Sequence, residues 1–289
     1  MVRPLRIEFP GATYHVTSRG NRQEDIFADD DDRRLFLQLL GAALLRGQAQ
    51  LLAYCLMSNH YHLVLQTARA NLSAVMRQIN GTYTQRYNFK HGKAGHLFQG
   101  RYKAILVDRE AYLLEVCRYV ELNPLRAKLL KDPSHWPWSS LRAHLGLVDA
   151  PAWLDTQQLS ALMLGRAATG ARDLRAAQSR YQQLLASARD VRLWQIGLRQ
   201  QVYLGDDAFV ARTQAHAAPA NLRSTTVPGV QRSTPMSIPQ WLKRCPERSE
   251  AFARAHREGG HSMTAIAGEA GLSLGRVSQL IAAWERRAD

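Results

Sequence analysis

Two histidines separated by one residue are the side chains of this 289-residue chain best suited to hold a metal ion. His60 and His62 begin a stretch whose pattern predicts a β-strand over 60–67, and residues at i and i+2 on a strand point to the same face. Their imidazoles could therefore converge on one divalent ion, while Tyr61 would point into the core. A pair of half-exposed strand histidines with no ligand is the alternative, so a third donor must come from another element.

A helix predicted over 109–122 offers that donor. One of its faces carries four candidate side chains at helical spacing, namely Tyr112, Glu115, Tyr119 and Asn123. Asn123 or a carboxylate could complete the metal site, and Tyr119 would then lie beside the ion. A divalent ion there could polarise a phosphodiester, and a tyrosine oxygen could attack the phosphorus to leave a covalent phosphotyrosine. The alternative for Tyr119 is an ordinary packing aromatic, and Pro124 is expected to push the backbone of Asn123 out of the helical region.

The elements that must position these residues alternate in a recognisable order. Apolar periodicity predicts strands over 12–17, 50–57, 60–67 and 101–107, and helices over 33–45, 71–87 and 109–122. This order is a split βαβ, ferredoxin-like pattern with one additional helix, the one that carries Tyr119. The predicted fold class is α+β, with an antiparallel-sheet core followed by an all-α C-terminal region.

The rest of the chain divides by composition. Helices are predicted over 173–189 and 191–201, and residues 214–240 are rich in Ala, Pro, Ser and Thr without periodicity. We therefore expect a site-bearing domain over 1–146, a helical extension over 147–213, a linker over 214–240 and a separate module over 241–289.

The last module has the pattern of a helix-turn-helix. A helix over 249–257 would end at Gly259-Gly260, Ser262 can cap a helix over 263–270, and Gly271 opens a turn before a helix over 274–287. Arg276 and Gln279 would face outward and enter a major groove of duplex DNA. A plain helical hairpin that packs on the first domain is the alternative.

The composition narrows the class of partner. The formal charge is +14, from 38 Lys and Arg against 24 Asp and Glu, and a chain this basic indicates an anionic partner, with nucleic acid ahead of an acidic membrane surface. Three distant cysteines, Cys55, Cys117 and Cys245, argue against a disulfide framework and a cysteine zinc site. With no apolar run long enough for a bilayer and no secretion signal, we expect a cytoplasmic, nucleoid-associated protein.

Two basic stretches could form a groove for single-stranded DNA. Arg19, Asn21 and Arg22 lie in a glycine-bearing loop after the first strand, and Arg101 and Lys103 would share one face of the fourth strand, with Tyr102 on the opposite face. Cations that hold phosphates next to aromatic side chains are typical of single-strand binding. A solvated basic surface is the alternative.

Four sequence motifs occur in order and together carry a family resemblance. They are YHVTSRGNR at 14–22, MSNHYHL at 57–63, LFQGRYK at 97–103 and RYVELNP at 118–124. Over about residues 1–146 the chain resembles the IS200-like, Y1-type transposases of the HUH endonuclease group, and more narrowly the REP-associated tyrosine transposases.

The resemblance implies an activity and a role for each motif residue. Such enzymes cut and rejoin single-stranded DNA next to small hairpins, with Mg²⁺ or Mn²⁺ bound by two histidines that match His60 and His62. Asn123 matches the third, amide-bearing ligand and Tyr119 matches the nucleophile. Tyr61 departs from the bulky apolar residue that is usual between the histidines. Some relatives act as dimers that share active sites, whereas the REP-associated group tends to be monomeric, so the resemblance favours a monomer over a dimer.

Three functional hypotheses follow. The first is a metal-dependent tyrosine transposase that cleaves and rejoins single-stranded DNA through a phosphotyrosine intermediate. The second is a catalytically idle DNA-binding regulator that uses the same fold and the C-terminal helix-turn-helix. The third is a nuclease with a water nucleophile, which predicts no covalent intermediate.

Overall fold

The computed structural model describes residues 7–187, 193–221, 236–257 and 261–288. The chain forms two compact units, one within residues 6–218 and one within residues 219–289. Within the described ranges, no helix combines the length and the apolar character needed to cross a bilayer.

The first unit is built on one six-stranded sheet in the order β2-β3-β1-β4-β6-β5. Its strands are β1 Thr13–Arg19, β2 Ala49–Leu56, β3 His60–Thr67, β4 Lys103–Val107, β5 Leu198–Arg199 and β6 Tyr203–Leu204. Its helices are α1 Asp30–Gly47, α2 Leu72–Lys90, α3 Arg109–Glu121, α4 Asn123–Arg126, α5 Leu141–His144, α6 Gln157–Leu164, α7 Ala171–Ser187, α8 Leu193–Gly197 and α9 Asp207–Asn221. Strands β1 to β4 pair antiparallel, whereas β6 pairs parallel with β4. The predicted α+β class is confirmed.

The two faces of this sheet bury different side chains. Alternate residues of β1 and β3, such as Tyr14, Val16 and Tyr61, pack with helices α1 and α2, and we call this side the α1/α2 face. The intervening residues, such as Val64, pack with Val116 and other residues of α3 on the opposite side, the α3 face. Because successive strand side chains point to opposite faces, the sequence alternation decides which residue belongs to which face.

Helix ends follow ordinary capping chemistry. The Asp29 carboxylate accepts a hydrogen bond from the backbone N–H of Asp32 and caps α1, whose first turn is acidic and suits the positive end of the helix dipole. Helix α3 begins in the same way, because the Asp108 carboxylate accepts from the N–H of Glu110.

Helix α3 ends at Glu121, but Asn123 does not leave the helical region as expected. Residue Leu122, with φ −85° and ψ 3°, joins α3 to the single-turn helix α4, in which Pro124 occupies the first turn. Proline is tolerated there because its missing N–H would have no partner within the helix. The prediction for the backbone of Asn123 was therefore wrong.

Strand β4 and the helical extension also differ from expectation. Arg101 lies before the strand rather than in it, because Gly100 turns the chain with φ +67° and β4 begins at Lys103. The helix predicted over 191–201 is replaced, in its described part, by α8 and a β5–β6 hairpin whose turn holds Gln200 and Gln201 at positive φ.

The predicted linker over 214–240 falls only partly on described residues. Its first residues, 214–221, form the end of α9, and its last three begin helix α10, Ile238–Arg244. Residues 222–235 lie outside the described part of the chain.

The second unit contains α10 and three further helices, α11 Arg248–Arg257, α12 Met263–Ala270 and α13 Leu274–Ala288. The Ser262 hydroxyl caps α12 by accepting from the N–H of Ala265 at 3.0 Å, and Gly271 ends this helix at φ +64°. The helices share a small core that contains Trp241, Phe252, Ile266, Val277 and Ile281. The predicted helix stop at Gly259-Gly260 lies outside the described residues.

Candidate functional site

The strand register assembles the histidines on the α3 face. In the β1–β3 pairing Arg19 stands opposite His60, Thr17 opposite His62 and His15 opposite Val64. Directly opposed residues share a face, so β1 contributes a third histidine beside the two predicted ones. The imidazole centroids of His60 and His62 are 5.1 Å apart.

His15 and His62 are joined directly. Nε2 of His15 lies 3.0 Å from Nδ1 of His62, and both rings are buried. Burial without a charged partner lowers the pKa of His15 to about 3. Burial, followed by the neighbouring His15, His60 and Arg19, holds the pKa of His62 well below its ordinary value. Both rings are therefore neutral near neutral pH, which is the form that binds metal ions.

His60 is also held in a neutral form that can bind a metal. Its Nδ1 lies 2.7 Å from the Oδ1 of Asn59, whose Nδ2 donates to the carbonyl oxygen of Gln23. Since an amide oxygen only accepts, Nδ1 of His60 carries the hydrogen and Nε2 keeps its lone pair. Burial, together with the cation of Arg19, lowers the pKa of His60 to about 4.

Tyr119 is the α3 tyrosine that reaches the histidine cluster. Its ring centroid is 6.1 Å from that of His62 and 6.1 Å from that of His15, edge to face in both cases. The Arg126 guanidinium of α4 lies 5.0 Å from the centre of the Tyr119 ring. Tyr112, two turns earlier, packs beside Gly197 instead. Tyr119 therefore lies next to the histidines, whereas Tyr112 contacts a different part of the chain.

Asn123 is oriented by its own helix. Its Nδ2 donates to the carbonyl oxygens of Tyr119 at 3.0 Å and Val120 at 3.2 Å. These bonds satisfy carbonyls at the end of α3 and leave Oδ1 as the atom that could bind a ligand.

The donor set on the α3 face fits a divalent ion. His60 keeps an Nε2 lone pair, His62 does so when its Nδ1 donates to His15, and the amide oxygen of Asn123 is a hard donor at the end of α3. Outer hydrogen bonds of this kind orient metal-binding histidines in proteins generally. Two imidazoles and an amide oxygen accept Mn²⁺ or Mg²⁺ as well as softer ions.

A second group of donors lies elsewhere. Among the described residues, Asp29, Asp32 and His91 are the three acidic or histidine side chains whose donor atoms lie within 4.8 Å of one another. The Lys90 ammonium already bonds to both carboxylates at 2.8 Å. This cluster thus serves as an ion-pair network that ties the N-terminus of α1 to the end of α2.

Trp194 contributes to the site from outside the region that the motifs cover. The centroid of its ring is 4.9 Å from that of His15 and 5.1 Å from that of Tyr119. Its helix, α8, is anchored because β6 joins β4 and Gly197 accepts a hydrogen bond from the N–H of Gly205. No local pattern in the sequence points to Trp194, since its place depends on this distant strand pairing.

Glu121 is a buried acid beneath the site that the sequence pattern did not reveal. Its carboxylate accepts hydrogen bonds from the Ser140 hydroxyl at 2.5 Å, the Nδ1 of His144 at 2.5 Å and the Tyr181 hydroxyl at 2.6 Å. These partners come from the segment before α5, from α5 and from α7. Glu121 therefore fixes the end of α3, two residues after Tyr119, to α5 and α7.

The cations predicted to contact DNA are only partly brought to the α3 face. Arg19 of β1 pairs with His60 of β3. Lys103 of β4 pairs with Thr17 of β1, which on its other side pairs with His62 of β3. Both cations are exposed, and Tyr102 is buried on the other face as predicted. Arg101 is exposed but lies outside β4.

Asn21 and Arg22 form an exposed turn next to this face. The N–H of Asn21 donates to the carbonyl of Leu97, so this turn is joined to the 97–99 segment. Gly20 is required there because a Cβ would lie 2.0 Å from the carbonyl oxygen of Glu24. In the second unit, Arg276 and Gln279 are exposed on α13.

Comparisons with known proteins find similarity over the region that holds the four motifs. Residues 9–123 match the family model described as IS200-like transposase. The solved structure of a REP-associated tyrosine transposase bound to a REP hairpin is 16% identical and covers 54% of this chain and 92% of that one, with a TM-score of 0.45. A candidate transposase from Deinococcus radiodurans R1 is 17% identical and covers 42% and 96%, with a TM-score of 0.30. The comparison with curated proteins gives no match. The segment that matches this family model, 9–123, holds His60, His62, Tyr119 and Asn123.

Proposed function

We propose that the protein cleaves and rejoins single-stranded DNA next to hairpins, with Tyr119 as the nucleophile. The observation that carries this proposal is the position of the Tyr119 ring, 6.1 Å from His62 on the α3 face. The family match supports DNA processing by a transposase.

The chemical step proceeds at the Tyr119 hydroxyl. Its oxygen attacks a backbone phosphorus, one P–O bond to a deoxyribose oxygen breaks, and the phenolic proton passes through solvent to the released sugar oxygen. The product is a phosphotyrosine and a free hydroxyl end, and attack by a hydroxyl end on that phosphotyrosine reverses the step and joins the strands. A divalent ion bound by His60, His62 and Asn123 supplies Lewis-acid polarisation of the phosphate and neutralises charge.

The protein positions the DNA strand with its own cations. Arg19 and Lys103 flank the histidines on the α3 face, so they are placed to hold phosphates on either side of the cleaved one. Asn21 and Arg22 extend this surface along the adjoining turn, and Arg101 lies beside it. Cleavage is therefore expected to require that the DNA strand bound at the α3 face is not base-paired.

The C-terminal unit is proposed as a second DNA contact. Helices α12 and α13 are joined by the three residues 271–273, and Arg276 and Gln279 are exposed near the start of α13, the end that a recognition helix places in a major groove. An Arg276→Ala, Gln279→Ala double variant should weaken duplex binding while sparing single-strand cleavage. Unchanged duplex affinity over a salt series would contradict this assignment.

A covalent-adduct assay tests the proposed chemistry. The full-length protein is incubated with Mn²⁺ or Mg²⁺ and with labelled single-stranded hairpin DNA from the flanks of its own gene, then denatured. We expect label on the wild type and on Tyr112→Phe, the matched control on the same helix, but none on Tyr119→Phe.

The other outcomes separate the remaining hypotheses. Cleavage without an adduct in every variant would indicate a water nucleophile. Hairpin binding with no cleavage at all would indicate a DNA-binding regulator.

A further inference from the structure

The contact between His15 and His62 has the geometry of a hydrogen bond, so one proton lies between the two rings. The ring nitrogens are 3.0 Å apart, the ring centroids are 5.2 Å apart and the ring planes differ by 6°. The two rings therefore lie edge to edge in nearly one plane, as in a hydrogen bond between an N–H and an in-plane lone pair, rather than face to face.

Two proton arrangements satisfy this bond. If His15 donates from Nε2, then Nδ1 of His62 accepts and Nε2 of His62 carries the hydrogen, which blocks metal binding at that atom. If His62 donates from Nδ1, its Nε2 keeps a lone pair. Only the second arrangement leaves His62 able to bind a metal.

We propose that His15 is a positioning residue that accepts from Nδ1 of His62 and so keeps Nε2 of His62 directed and unprotonated for a divalent ion. This inference rests on the proposed function, because it takes His62 as a metal ligand. His15 itself does not contact the ion.

The surroundings of His15 support this role. The residue lies in the middle of the central strand β1, between β3 and β4, and its ring is 4% exposed. Trp194 lies over it with centroids 4.9 Å apart and Tyr119 meets it edge to face, so the ring has little freedom to rotate.

The partner of the other metal histidine gives a parallel. Asn59 accepts from Nδ1 of His60 through an amide oxygen and also leaves Nε2 available. His60 and His62 thus both donate from Nδ1, His60 to an amide oxygen and His62 to an imidazole nitrogen. In this arrangement the hydrogen of His15 is on Nδ1, which has no partner among the described residues.

The first test is the proton position in the wild-type protein without metal. Long-range ¹H–¹⁵N correlation spectra of the full chain, labelled with ¹⁵N at histidine, report which nitrogen of His62 carries hydrogen, and a His62→Gln variant assigns the signal. We expect the Nδ1–H form. A His62 ring in the Nε2–H form would overturn the proposal without any further variant.

The second test is metal affinity measured by Mn²⁺ titration in the absence of DNA. His15→Phe should weaken Mn²⁺ binding by about 10- to 100-fold, the range seen for loss of outer-shell partners. His15→Gln, whose amide oxygen can accept the same hydrogen bond, should recover most of the affinity. Thr13→Val is the matched control, because Thr13 is buried two residues earlier on the same face of β1.

The outcomes distinguish this inference from the proposed function. If His62→Ala binds Mn²⁺ as tightly as the wild type, His62 is not a metal ligand, and the proposed metal site and the positioning role of His15 are both overturned. If His62→Ala abolishes binding but His15→Phe, shown to be folded by circular dichroism, changes the Kd by less than about twofold, well short of an outer-shell effect, the positioning role is refuted.

Discussion

The two faces of the central sheet are lined by neighbouring residues of the same strands, yet they are built on different principles. On the α1/α2 face, two fully buried phenols have a fixed partner: Tyr61 donates to the Oδ1 of Asn80 and Tyr83 to the carbonyl of Ile26, both at 2.6 Å. On the α3 face, His15 and His144 each keep one buried ring nitrogen without a partner among the described residues. Paired buried phenols contribute stability, whereas buried ring nitrogens without a partner cost stability and are characteristic of functional sites.

The largest expected effect is a loss of cleavage activity when a histidine of the α3 face is replaced. His62→Ala removes a proposed metal ligand, so cleavage should fall by at least about 100-fold, beyond the range for outer-shell partners. Rates of hairpin-DNA cleavage with saturating Mn²⁺ would measure this. Wild-type rates in the variant would show that the α3 face is not the site of chemistry.

The second prediction concerns the support beneath the site. Glu121→Ala leaves two buried donors unpaired, from His144 and Tyr181, while the Ser140 hydroxyl keeps the carbonyl of Tyr54, and each unpaired group costs about 1–3 kcal/mol. Urea unfolding should therefore show a loss of at least about 2 kcal/mol in the free energy of unfolding. Glu110→Ala, an exposed residue on the same helix, should change this free energy by less than about 1 kcal/mol. Equal effects would show that the carboxylate network does not support α3.

A pH series tests the buried neutral histidines. The pKa of His15 is about 3 in the folded chain against 6.5 for the unfolded one, so below pH 6.5 the unfolded state binds more protons. The free energy of unfolding should therefore fall as the pH is lowered from 6.5 towards 4, with a contribution from His15 on the order of 1 kcal/mol per pH unit. Urea titrations of the metal-free protein at several pH values would measure this slope.

The controls for the pH series are two single variants. His15→Phe should give a shallower slope because it removes one buried histidine, whereas Thr13→Val, also buried on β1, removes no titratable group and should keep the wild-type slope. A slope that is identical in wild type and His15→Phe would contradict the burial of a neutral imidazole at this position.

The smallest expected effect lies on the α1/α2 face. Tyr61→Phe removes the hydrogen bond to Asn80 and should cost about 1 kcal/mol of folding stability. Cleavage should stay close to the wild-type rate, although Tyr61 stands between the two proposed metal ligands. A large loss of cleavage with unchanged stability would show that the α1/α2 face also takes part in the chemistry.

The sequence predicted the side-chain directions that depend on alternation along a single strand. It placed His60 and His62 on one face and Tyr61 in the core, and the structure confirms these directions. The same alternation also put His15 on the α3 face, but a single histidine between Tyr14 and Val16 gives no local sign of a partner 47 residues away. The partner depends on the pairing of β1 with β3, which no single stretch encodes.

The extension was mispredicted for a similar reason. A helical period covers 191–201, but the pairing of Tyr203 with Leu106 and Leu204 with Val107 overrides it from α8 onward. Gln200 and Gln201 adopt positive φ in the hairpin turn, without the glycine or asparagine that would have indicated it. The roles of Tyr119 and Asn123 remain those implied by the family motifs.

The β6–β4 pairing also sets the order in which the site can be completed during synthesis. Residues 9–123 leave the ribosome first, but Trp194 and the strand that anchors its helix follow on the order of several seconds later at about 5–20 residues per second. Closing this contact joins segments nearly a hundred residues apart, which is a slow kind of contact to form. The nascent chain therefore presents its histidines and Tyr119 before their aromatic cover exists, and a truncation at residue 146 would hold the protein permanently in that unfinished state.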